Sequence, residues 1–453
     1  PPQVGAELFS TLASEADASA PAARADVHAS FFRAASRRAG SEPGSDASRS
    51  GAVPSHVARA VLIDMEPKVI HASLRRAKRT NRWAYDPSQT LAFQSGSGNN
   101  WARGYNTYGA SAREAALGLV RREAERCDAL GGFLLAQSMA GGTGAGLGSS
   151  FAEALRDEYA HAAILNHCVW PYESGEVIVQ SYNALLTLSS LLDVSDGVCV
   201  VQNEHLHAAC AKLLGVERPT FGDMNAVAAK QLAGVLLPAT SRDVSGGTSA
   251  SSPYAPRRTM LLHDVARDVC SHPDARLLSL RSVPMMPRRS VDFTTFSWPA
   301  LLKRARQMLL AGTTLEEGLD WGLEPGDTGV AGADPSRRRA TRCVASALYL
   351  RGAGSAEADA SALADERLYP AWQPEPLRVA CSPCRFDGYE MSATLLSNCQ
   401  TACPPVGRML GRAYQMYDAG AYVHQYEEHG VGRGHFEEAF ARVEDVLAAY
   451  RAI

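Results

Sequence analysis

The sequence predicts an α/β protein organised around a doubly wound parallel sheet, and three observations carry this prediction. Short apolar strands alternate with amphipathic helices over residues 1–205, a pattern typical of parallel sheets. One strand runs directly into the acidic residues Asp64 and Glu66, and another is joined to a helix by a glycine-rich turn at 140–148. Because open α/β sheets bind ligands at the carboxyl ends of their strands, we expect a ligand site there.

The first part of the chain supplies the strands of that sheet. Residues 5–16 are expected to form a short helix, and residues 18–57, rich in Ala, Ser, Arg and Gly, are expected to form a surface loop. Ser111 and Glu114 have the spacing of a capping box, which predicts that a helix begins there. The buried strands are predicted at residues 58–67, 131–138, 161–170 and 197–205.

The second part of the chain mixes strands and helices. Residues 224–237 are apolar on most sides, which predicts a central helix buried between layers. A helix at 299–311 among further strands indicates a second α+β domain, and apolar residues at helical spacing between Val406 and Tyr450 predict a C-terminal helical hairpin. The strands of the second domain are predicted at 277–283, 343–350 and 391–397, and irregular stretches at 240–258 and 322–339.

Composition excludes several classes of protein. The chain has 453 residues, of which 46% are hydrophobic, so it can bury a core and is not globally disordered. Lys and Arg number 45 against 48 Asp and Glu, a net charge of −3, so we expect no nucleic-acid partner. No apolar run approaches the roughly 18 residues of a spanning helix, and the N-terminus has no signal-peptide pattern, so we expect no membrane partner. Ten cysteines fit free thiols in the reducing cytoplasm.

Two glycine-rich loops point to phosphate binding. The turn at 140–148 joins a strand to a helix, where glycines let the backbone approach a phosphate and the helix N-terminus offers free N–H groups. It lacks the Gly-Lys-Ser/Thr of a Walker A loop and the spacing of a dinucleotide fingerprint. The segment 95–100 is a second such loop, although taken alone it reads better as a turn. Together with Asp64 and Glu66, the loops suggest phosphates held by backbone dipoles and Mg²⁺ held by an acid.

The chain resembles the tubulin family. The resemblance is carried by FQSGSGNNWARGY at 93–105, AGGTGAGLGS at 140–149, RPTFGDMN at 218–225 and MSATLLSN at 391–398. It extends in order over nearly the whole chain, and the segments at 176–191, 277–287 and 294–309 are most similar to the delta subfamily. It implies a nucleotide-binding domain at 1–205, a central helix and intermediate domain at 206–398, and a C-terminal helical region at 399–453.

The resemblance also implies a function. GTP or GDP with Mg²⁺ is expected as the cofactor, and other tubulin subunits and microtubules are expected as partners, through longitudinal contacts. The expected location is the cytoplasmic cytoskeleton, at centrioles, basal bodies, and cilia or flagella. The alternatives are a freestanding GTPase and a GTP-binding regulator that does not polymerise. Turnover by dilute monomer would favour the freestanding enzyme.

Family roles map onto individual positions of this sequence. The residues matching phosphate contacts are Ser138, Gly141, Gly142, Thr143 and Gly144, with Ser97, Gly98 and Asn99 near the terminal phosphate. The residues matching the remaining contacts are Glu66 and Asp64 for the metal, Glu176 for the ribose, Asn203 and Asn225 for guanine, Phe221 for stacking on the base, and Gln3 at the start of the first helix. An asparagine amide suits guanine because it both donates and accepts hydrogen bonds.

The chain departs from the family pattern in two places. A strand and a Gly-Gln-Cys-Gly loop, which in the family precede the helix that starts at Gln3, are absent, so we expect the sequence to be truncated at its N-terminus. Ala140 and Ala145 replace a glycine and a serine of the usual loop. The alanine at 140 is unfavourable only if its φ must be positive.

Hydrolysis and two other chemistries remain to be weighed. Alignment with the family places Asp264 where one subunit's acid faces its neighbour's nucleotide, so it is a candidate general base acting in trans; the alternative is a solvated helix acid. An oxidoreductase is disfavoured because no acid stands about 20 residues beyond the glycine loop. A zinc ribbon is also disfavoured, because its second cysteine pair has one residue too many and free thiols explain all four positions. The cysteines concerned are Cys381, Cys384, Cys399 and Cys403.

Overall fold

The computed structural model describes residues 2–35, 55–93, 95–175, 177–242, 244, 262–326 and 339–453. In chain order its helices are α1 (Pro2–Ala18), α2 (Pro21–Phe31), α3 (Pro67–Arg79), α4 (Ala110–Ala124), α5 (Gly148–Glu158), α6 (Gln180–Val194), α7 (Asn203–Ala208), α8 (Phe221–Leu236), α9 (Leu262–Val269), α10 (Arg288–Val291), α11 (Trp298–Leu310), α12 (Cys403–Asp418), α13 (Val423–Glu427) and α14 (Arg433–Ala452). Its strands are β1 (Phe32–Ala34), β2 (His56–Ala58), β3 (Leu62–Asp64), β4 (Trp83–Ala84), β5 (Thr90–Ala92), β6 (Phe133–Ser138), β7 (Ile164–Trp170), β8 (Gly197–Gln202), β9 (Thr240–Arg242), β10 (Leu277–Val283), β11 (Cys343–Gly352), β12 (Leu377–Ser382) and β13 (Met391–Cys399).

The main sheet has eight strands in the order β6-β7-β8-β10-β13-β11-β12-β9. Its first four strands are parallel, with Phe133 opposite Ile164 and Leu165 opposite Gly197. Strand β13 runs antiparallel to both of its neighbours, β10 and β11. The protein is therefore α/β, with a parallel half that carries the glycine loop and a mixed half formed by the later strands.

Two smaller sheets complete the N-terminal part. Strands β3 and β5 pair in parallel, with Asp64 opposite Ala92, and the order β1-β2-β4 forms a second small sheet. Because β3 and β5 are parallel, the acidic turn after β3 and the loop after β5 leave the sheet at the same edge. The acids thus lie at the carboxyl end of a parallel strand, as predicted, but β3 belongs to this two-stranded sheet and not to the main sheet, where the sequence analysis placed it.

The predicted central helix is α8, and its sides are almost all buried. Met224, Val227, Leu232 and Val235 belong to a core cluster that also includes residues of α1, β10 and β11. Helix α8 therefore lies between the N-terminal part and the mixed half of the sheet. Burial on all sides explains why its sequence lacks a polar stripe.

The C-terminal helices form a layer over α6. Tyr414 of α12 stacks on Phe440 of α14 at 3.9 Å between ring centroids, and both helices share a core cluster with α6. This confirms the predicted helical hairpin. Within the described parts of the chain, no helix has the length and apolar character needed to cross a membrane.

Four local predictions are wrong. The stretch 240–258, which was predicted to be irregular, begins with strand β9. Residues 18–57 are not all loop, because α2 and β1 lie within the described part of that range, while 36–54 fall outside the described residues. Strand β8 ends at Gln202, and Asn203 begins a helix. Ser111 does not cap a helix, because the chain is already helical there and its Oγ donates to the carbonyl of Tyr108 at 3.0 Å.

A buried histidine makes stability depend on pH. His167 on β7 is fully buried, and burial lowers its pKa to about 4. The native protein keeps the ring neutral, whereas the unfolded chain binds a proton near pH 6.5. The contribution of His167 to stability is therefore fully present above pH 6.5 and is lost as the pH falls from 6.5 to 4. We expect the free energy of unfolding to fall by roughly 3 kcal/mol over this range. Urea unfolding at several pH values measures it.

The matched variants for this prediction are His167→Leu and His435→Gln. His435 is exposed on α14, so its replacement should leave the acid-side slope of stability against pH unchanged. His167→Leu should flatten that slope. An equal slope in all three proteins would show that other groups govern the acid limb.

Candidate functional site

The loop after β6 and the loop after β5 pack against each other and form one surface. Ser97 Oγ lies 3.3 Å from Thr143 Oγ1, so a hydrogen bond joins the two predicted phosphate loops. A Cβ atom on Gly142 would overlap both the backbone oxygen of Asn100 and the side chain of Ser97. The contact is therefore possible only because position 142 is glycine.

The helices that follow both loops have π-helical turns at or near their start, Arg103–Gly109 and Gly142–Leu147. These turns interlock, because a Cβ on Gly104 would overlap the backbone oxygen of Gly142. A Cβ on Gly144 would lie 2.9 Å from the backbone nitrogen of Ser138, so this glycine also fits against the end of β6. π-Helical turns are often found at functional sites, and a helix N-terminus attracts anions.

The loop after β5 has two left-handed residues, Gly98 with φ of 62° and Asn99 with φ of 54°. Asparagine tolerates this conformation better than most residues other than glycine. Ala140 does not have a positive φ, so the alanine at this position brings no backbone strain. Ala145 also lacks a positive φ, and it is fully buried inside the π-helical turn.

Asn183 on α6 is the residue that ties the loops together. Its Nδ2 donates to the carbonyl oxygens of Asn99 and Ala140, each at 2.7 Å. Its Oδ1 accepts from the backbone N–H of Trp101 at 3.0 Å. The sequence analysis missed this residue, although an asparagine within a largely apolar run of helix was a usable signal.

The two acidic residues lie at the end of β3, the strand that pairs with β5. Asp64 Oδ1 accepts a hydrogen bond from the backbone N–H of Glu66 at 3.1 Å, and the Glu66 side chain is exposed. Burial raises the pKa of Asp64, and that hydrogen bond opposes the rise. Two carboxylates suit Mg²⁺, which retains water and binds substrate phosphate. In the described ranges no group of three His, Cys, Asp or Glu side chains could hold a metal.

Asn225, a predicted base contact, lies beside Gln3, which is on a neighbouring helix. Asn225 Nδ2 on α8 lies 3.3 Å from Gln3 Oε1 on α1, within hydrogen-bond distance. Asn203 is half-buried at the first position of α7, directly after β8. The structure thus brings Gln3 and Asn225 together and places Asn203 at the carboxyl end of a parallel strand.

The helix that carries Asn225 has a well-formed start. Thr220 accepts a hydrogen bond from the backbone N–H of Asp223, and Asp223 accepts one from the backbone N–H of Thr220, a capping box that the sequence analysis did not identify. Those hydrogen bonds hold the pKa of Asp223 below its usual range. Phe221 follows the cap and is 62% exposed, so its ring is free to stack on a planar ligand.

The loop after β7 is anchored to the C-terminal layer. Glu173 pairs with Arg408 at 2.5 Å and with Arg412 at 3.2 Å, and its backbone N–H donates to Glu204 at 2.6 Å. Glu176, the predicted ribose contact, lies outside the described residues.

Asp264 has a different environment from either one that the sequence suggested. It lies on α9, is only 2% exposed, and pairs with Arg267 at 3.3 Å. The interpretation of Asp264 as a solvated helix acid is therefore wrong. A catalytic role in trans requires that its carboxylate become accessible, since the side chain is now covered by its own subunit.

The four cysteines of the zinc hypothesis do not form a metal site in the described residues. Cys399 lies at the end of β13 opposite Cys343 of β11. The pKa of the Cys399 thiol is held well below its usual value, mainly by a hydrogen bond from Cys343. The positive charge of Arg281, which lies beside Cys399, lowers this pKa further. The thiol at 399 therefore has partners within the core, and the alternative of free thiols stands.

Taken together, the residues that the family resemblance assigns to nucleotide contacts fall into two groups, which we call the anion-binding end and the base-binding end. The anion-binding end consists of the two interlocked loops and the acids after β3. The base-binding end consists of Gln3, Asn203, Phe221 and Asn225. This geometry suits a nucleotide that lies across the strand ends.

Comparison with known proteins gives consistent results. A profile of the Tubulin/FtsZ family GTPase domain matches residues 3–211. A tubulin delta chain of Macaca fascicularis is 36% identical over 459 residues, which cover 99% of this chain and 96% of that protein. A tubulin delta chain of Mus musculus is 38% identical over 405 residues, covering 88% and 87% of the two chains. A tubulin beta-1 chain of Chondrus crispus is 27% identical over 404 residues, covering 88% and 81%.

Proposed function

This chain belongs to the tubulin family, as a GTP-binding member most similar to delta chains, and on that basis we propose that it organises microtubules at centrioles, basal bodies and axonemes. The observation that carries nucleotide binding is the joined pair of loops. Ser97 and Thr143 meet across it, Gly142 makes the close approach possible, and Asn183 holds both backbones. Loops fixed in this way offer backbone dipoles that are already ordered before the ligand arrives.

Each residue has a proposed role, which for the described residues fits their position. Ser138, the segment 141–144 and the segment 97–99 surround the phosphates, with the Thr143 hydroxyl as an additional donor. Glu176 contacts the ribose. Glu66, with Asp64 beside it, holds Mg²⁺, which when bound neutralises phosphate charge. Because the Glu66 side chain is exposed, it can accept hydrogen bonds from the water shell that Mg²⁺ retains.

The base-binding end is proposed to select guanine. Asn203 and Asn225 present amide groups that can each donate and accept, and Gln3 orients the Asn225 amide through their hydrogen bond. Phe221 supplies a ring that stacks on the base without adding a polar group. Adenine presents a different donor and acceptor order on its edge, so the same amides would leave buried polar atoms unpaired.

Replacement of Asn203 by Ala should weaken GTP binding by about 1–3 kcal/mol, because polar atoms of the bound base lose their partner. ATP binding should change little, since the asparagine is not matched to adenine. Competition of GTP and ATP against a fluorescent guanine nucleotide measures both values. An unchanged preference for GTP over ATP in the variant would count against this role.

The proposed partners are other tubulin subunits and microtubules, through longitudinal contacts. Hydrolysis is proposed to depend on such assembly. Catalysis by Asp264 stays a prediction, because its buried carboxylate must be uncovered by a movement of α9 before it can reach a neighbour's nucleotide. Phosphate release measured in dilute and in assembled protein separates assembly-dependent turnover from a freestanding GTPase.

Location in the cell tests the proposed function. We expect a tagged copy of this chain to concentrate at basal bodies or centrioles. The comparison is a tagged beta-tubulin in the same cells, which should follow cytoplasmic microtubules. An even distribution of this chain along those microtubules would contradict the proposed role.

A further inference from the structure

The C-terminal layer contacts the candidate nucleotide site through α13. Tyr426 on α13 is fully buried, and its hydroxyl donates to Asn183 Oδ1 at 2.7 Å. Asn183 is the residue whose Nδ2 holds the carbonyl oxygens of Asn99 and Ala140. A hydroxyl more than two hundred residues away in sequence is therefore two hydrogen bonds from both phosphate loops.

The amide of Asn183 has no spare hydrogen-bonding capacity. A primary amide offers two N–H donors and two lone pairs on oxygen. The donors go to the two loop carbonyl oxygens, and the lone pairs go to the Trp101 backbone N–H and to Tyr426. Because two donors converge on Oδ1, only one orientation of the amide satisfies all four partners.

The position of Tyr426 is itself tightly fixed. Its ring lies edge-on to Tyr182 at 5.6 Å and to Phe436 at 5.3 Å between centroids. Burial raises the pKa of Tyr426 well above its usual range, so the hydroxyl keeps its proton and remains a donor. Tyr182 in turn donates to the carbonyl of Ala421 at 3.1 Å, which holds the start of the same segment.

The same segment also contacts the loop after β5 and the π-helical turn that follows it. Asn100 Nδ2 donates to the Gln425 carbonyl oxygen at 3.0 Å, and Asn106 Nδ2 donates to the His429 carbonyl oxygen at 2.7 Å. The backbone of 421–431 therefore supports these asparagines through hydrogen bonds. A movement of the 421–431 backbone must therefore move the loop after β5 or break these hydrogen bonds.

We infer that Tyr426 is a positioning residue for the phosphate loops, through the hydrogen bond by which it orients Asn183. The inference rests on the proposed binding of guanine nucleotide. Without the hydroxyl, Oδ1 keeps one donor, and the amide can turn away from Asn99 and Ala140. The loops then lose their common support, and contacts to phosphate weaken more than contacts to the base.

The test compares Tyr426→Phe with Tyr450→Phe. Tyr450 on α14 is a matched control, because it is also fully buried and its hydroxyl also donates to a buried asparagine, Asn398, but in the mixed half of the sheet. Both variants keep the ring and should lower the melting temperature of the nucleotide-free protein to a similar extent. Only Tyr426→Phe should weaken binding of a fluorescent GTP and speed its dissociation, by about 3- to 30-fold.

The outcomes separate the two claims. If the unmodified protein binds no guanine nucleotide, the proposed function fails and this inference fails with it. If it binds and both variants bind equally well, only the inference is overturned. A second measurement needs no variant: bound GTP should slow amide hydrogen exchange across 421–431, and exchange that does not change on binding would also overturn the inference.

Discussion

Replacement of Gly142 by Ala should reduce GTP affinity by about 100-fold, which corresponds to the roughly 3 kcal/mol by which overpacking disturbs a closely fitted site. The added Cβ would overlap the Asn100 backbone oxygen and the Ser97 side chain, so the two loops must separate. Separation breaks the Ser97–Thr143 hydrogen bond and moves the backbone that is proposed to surround the phosphates. Equilibrium binding of a fluorescent GTP measures the loss.

The matched control for this prediction is Gly118→Ala. Gly118 lies within α4, and a Cβ there would meet nothing within 4 Å. Alanine is the better helix former by about 1 kcal/mol, so this variant should be as stable as the parent or more so, with unchanged GTP affinity. If Gly142→Ala bound GTP as tightly as Gly118→Ala does, the joined loops would not be the phosphate site.

The largest effect on stability is expected at Arg351, a buried cation on β11. Its guanidinium donates to the carbonyl oxygens of Gly234, Leu237 and Pro238 at distances of 2.6–3.3 Å, which closes the C-terminal end of α8. Burial lowers the pKa of Arg351 to about 10, so it remains protonated at neutral pH. Arg351→Met keeps most of the volume but leaves these carbonyl groups without a donor.

We expect Arg351→Met to lower the free energy of unfolding by about 3–5 kcal/mol, as measured by urea denaturation. Arg121→Met is the control, because Arg121 pairs with Glu114 and Glu158 on an exposed surface where ion pairs contribute little. The control should unfold at nearly the same urea concentration as the parent. Equal effects of the two substitutions would mean that α8 does not depend on this cap.

The parts of the fold that were predictable are those with a regular pattern. Local sequence patterns were enough to predict the long apolar runs of β7, β11 and α8 and the acidic end of β3, because periodicity and burial are local signals. Loop partners were predictable only through resemblance: Ser97 and Thr143 are far apart in sequence, and nothing in either loop alone shows that they touch.

The errors also have physical causes. Ser111 has the spacing of a helix cap, but the tertiary contact between the two π-helical turns starts the helix earlier, so the serine falls inside it. Burial of Asp264 depends on what packs over α9, which its own sequence does not reveal. Asn183 was missed because the sequence around one polar residue in an apolar helix does not indicate its hydrogen-bond partners. These partners come from three distant segments.

The most direct test of the account is nucleotide selectivity in the purified protein. Equilibrium binding with Mg²⁺ present should give saturable binding of GTP and GDP, with ATP a far weaker competitor. This follows if, as proposed, the amides at 203 and 225 match guanine and the joined loops hold the phosphates of GTP and GDP. Binding of ATP with the same affinity as GTP, or no saturable binding of either, would contradict the account.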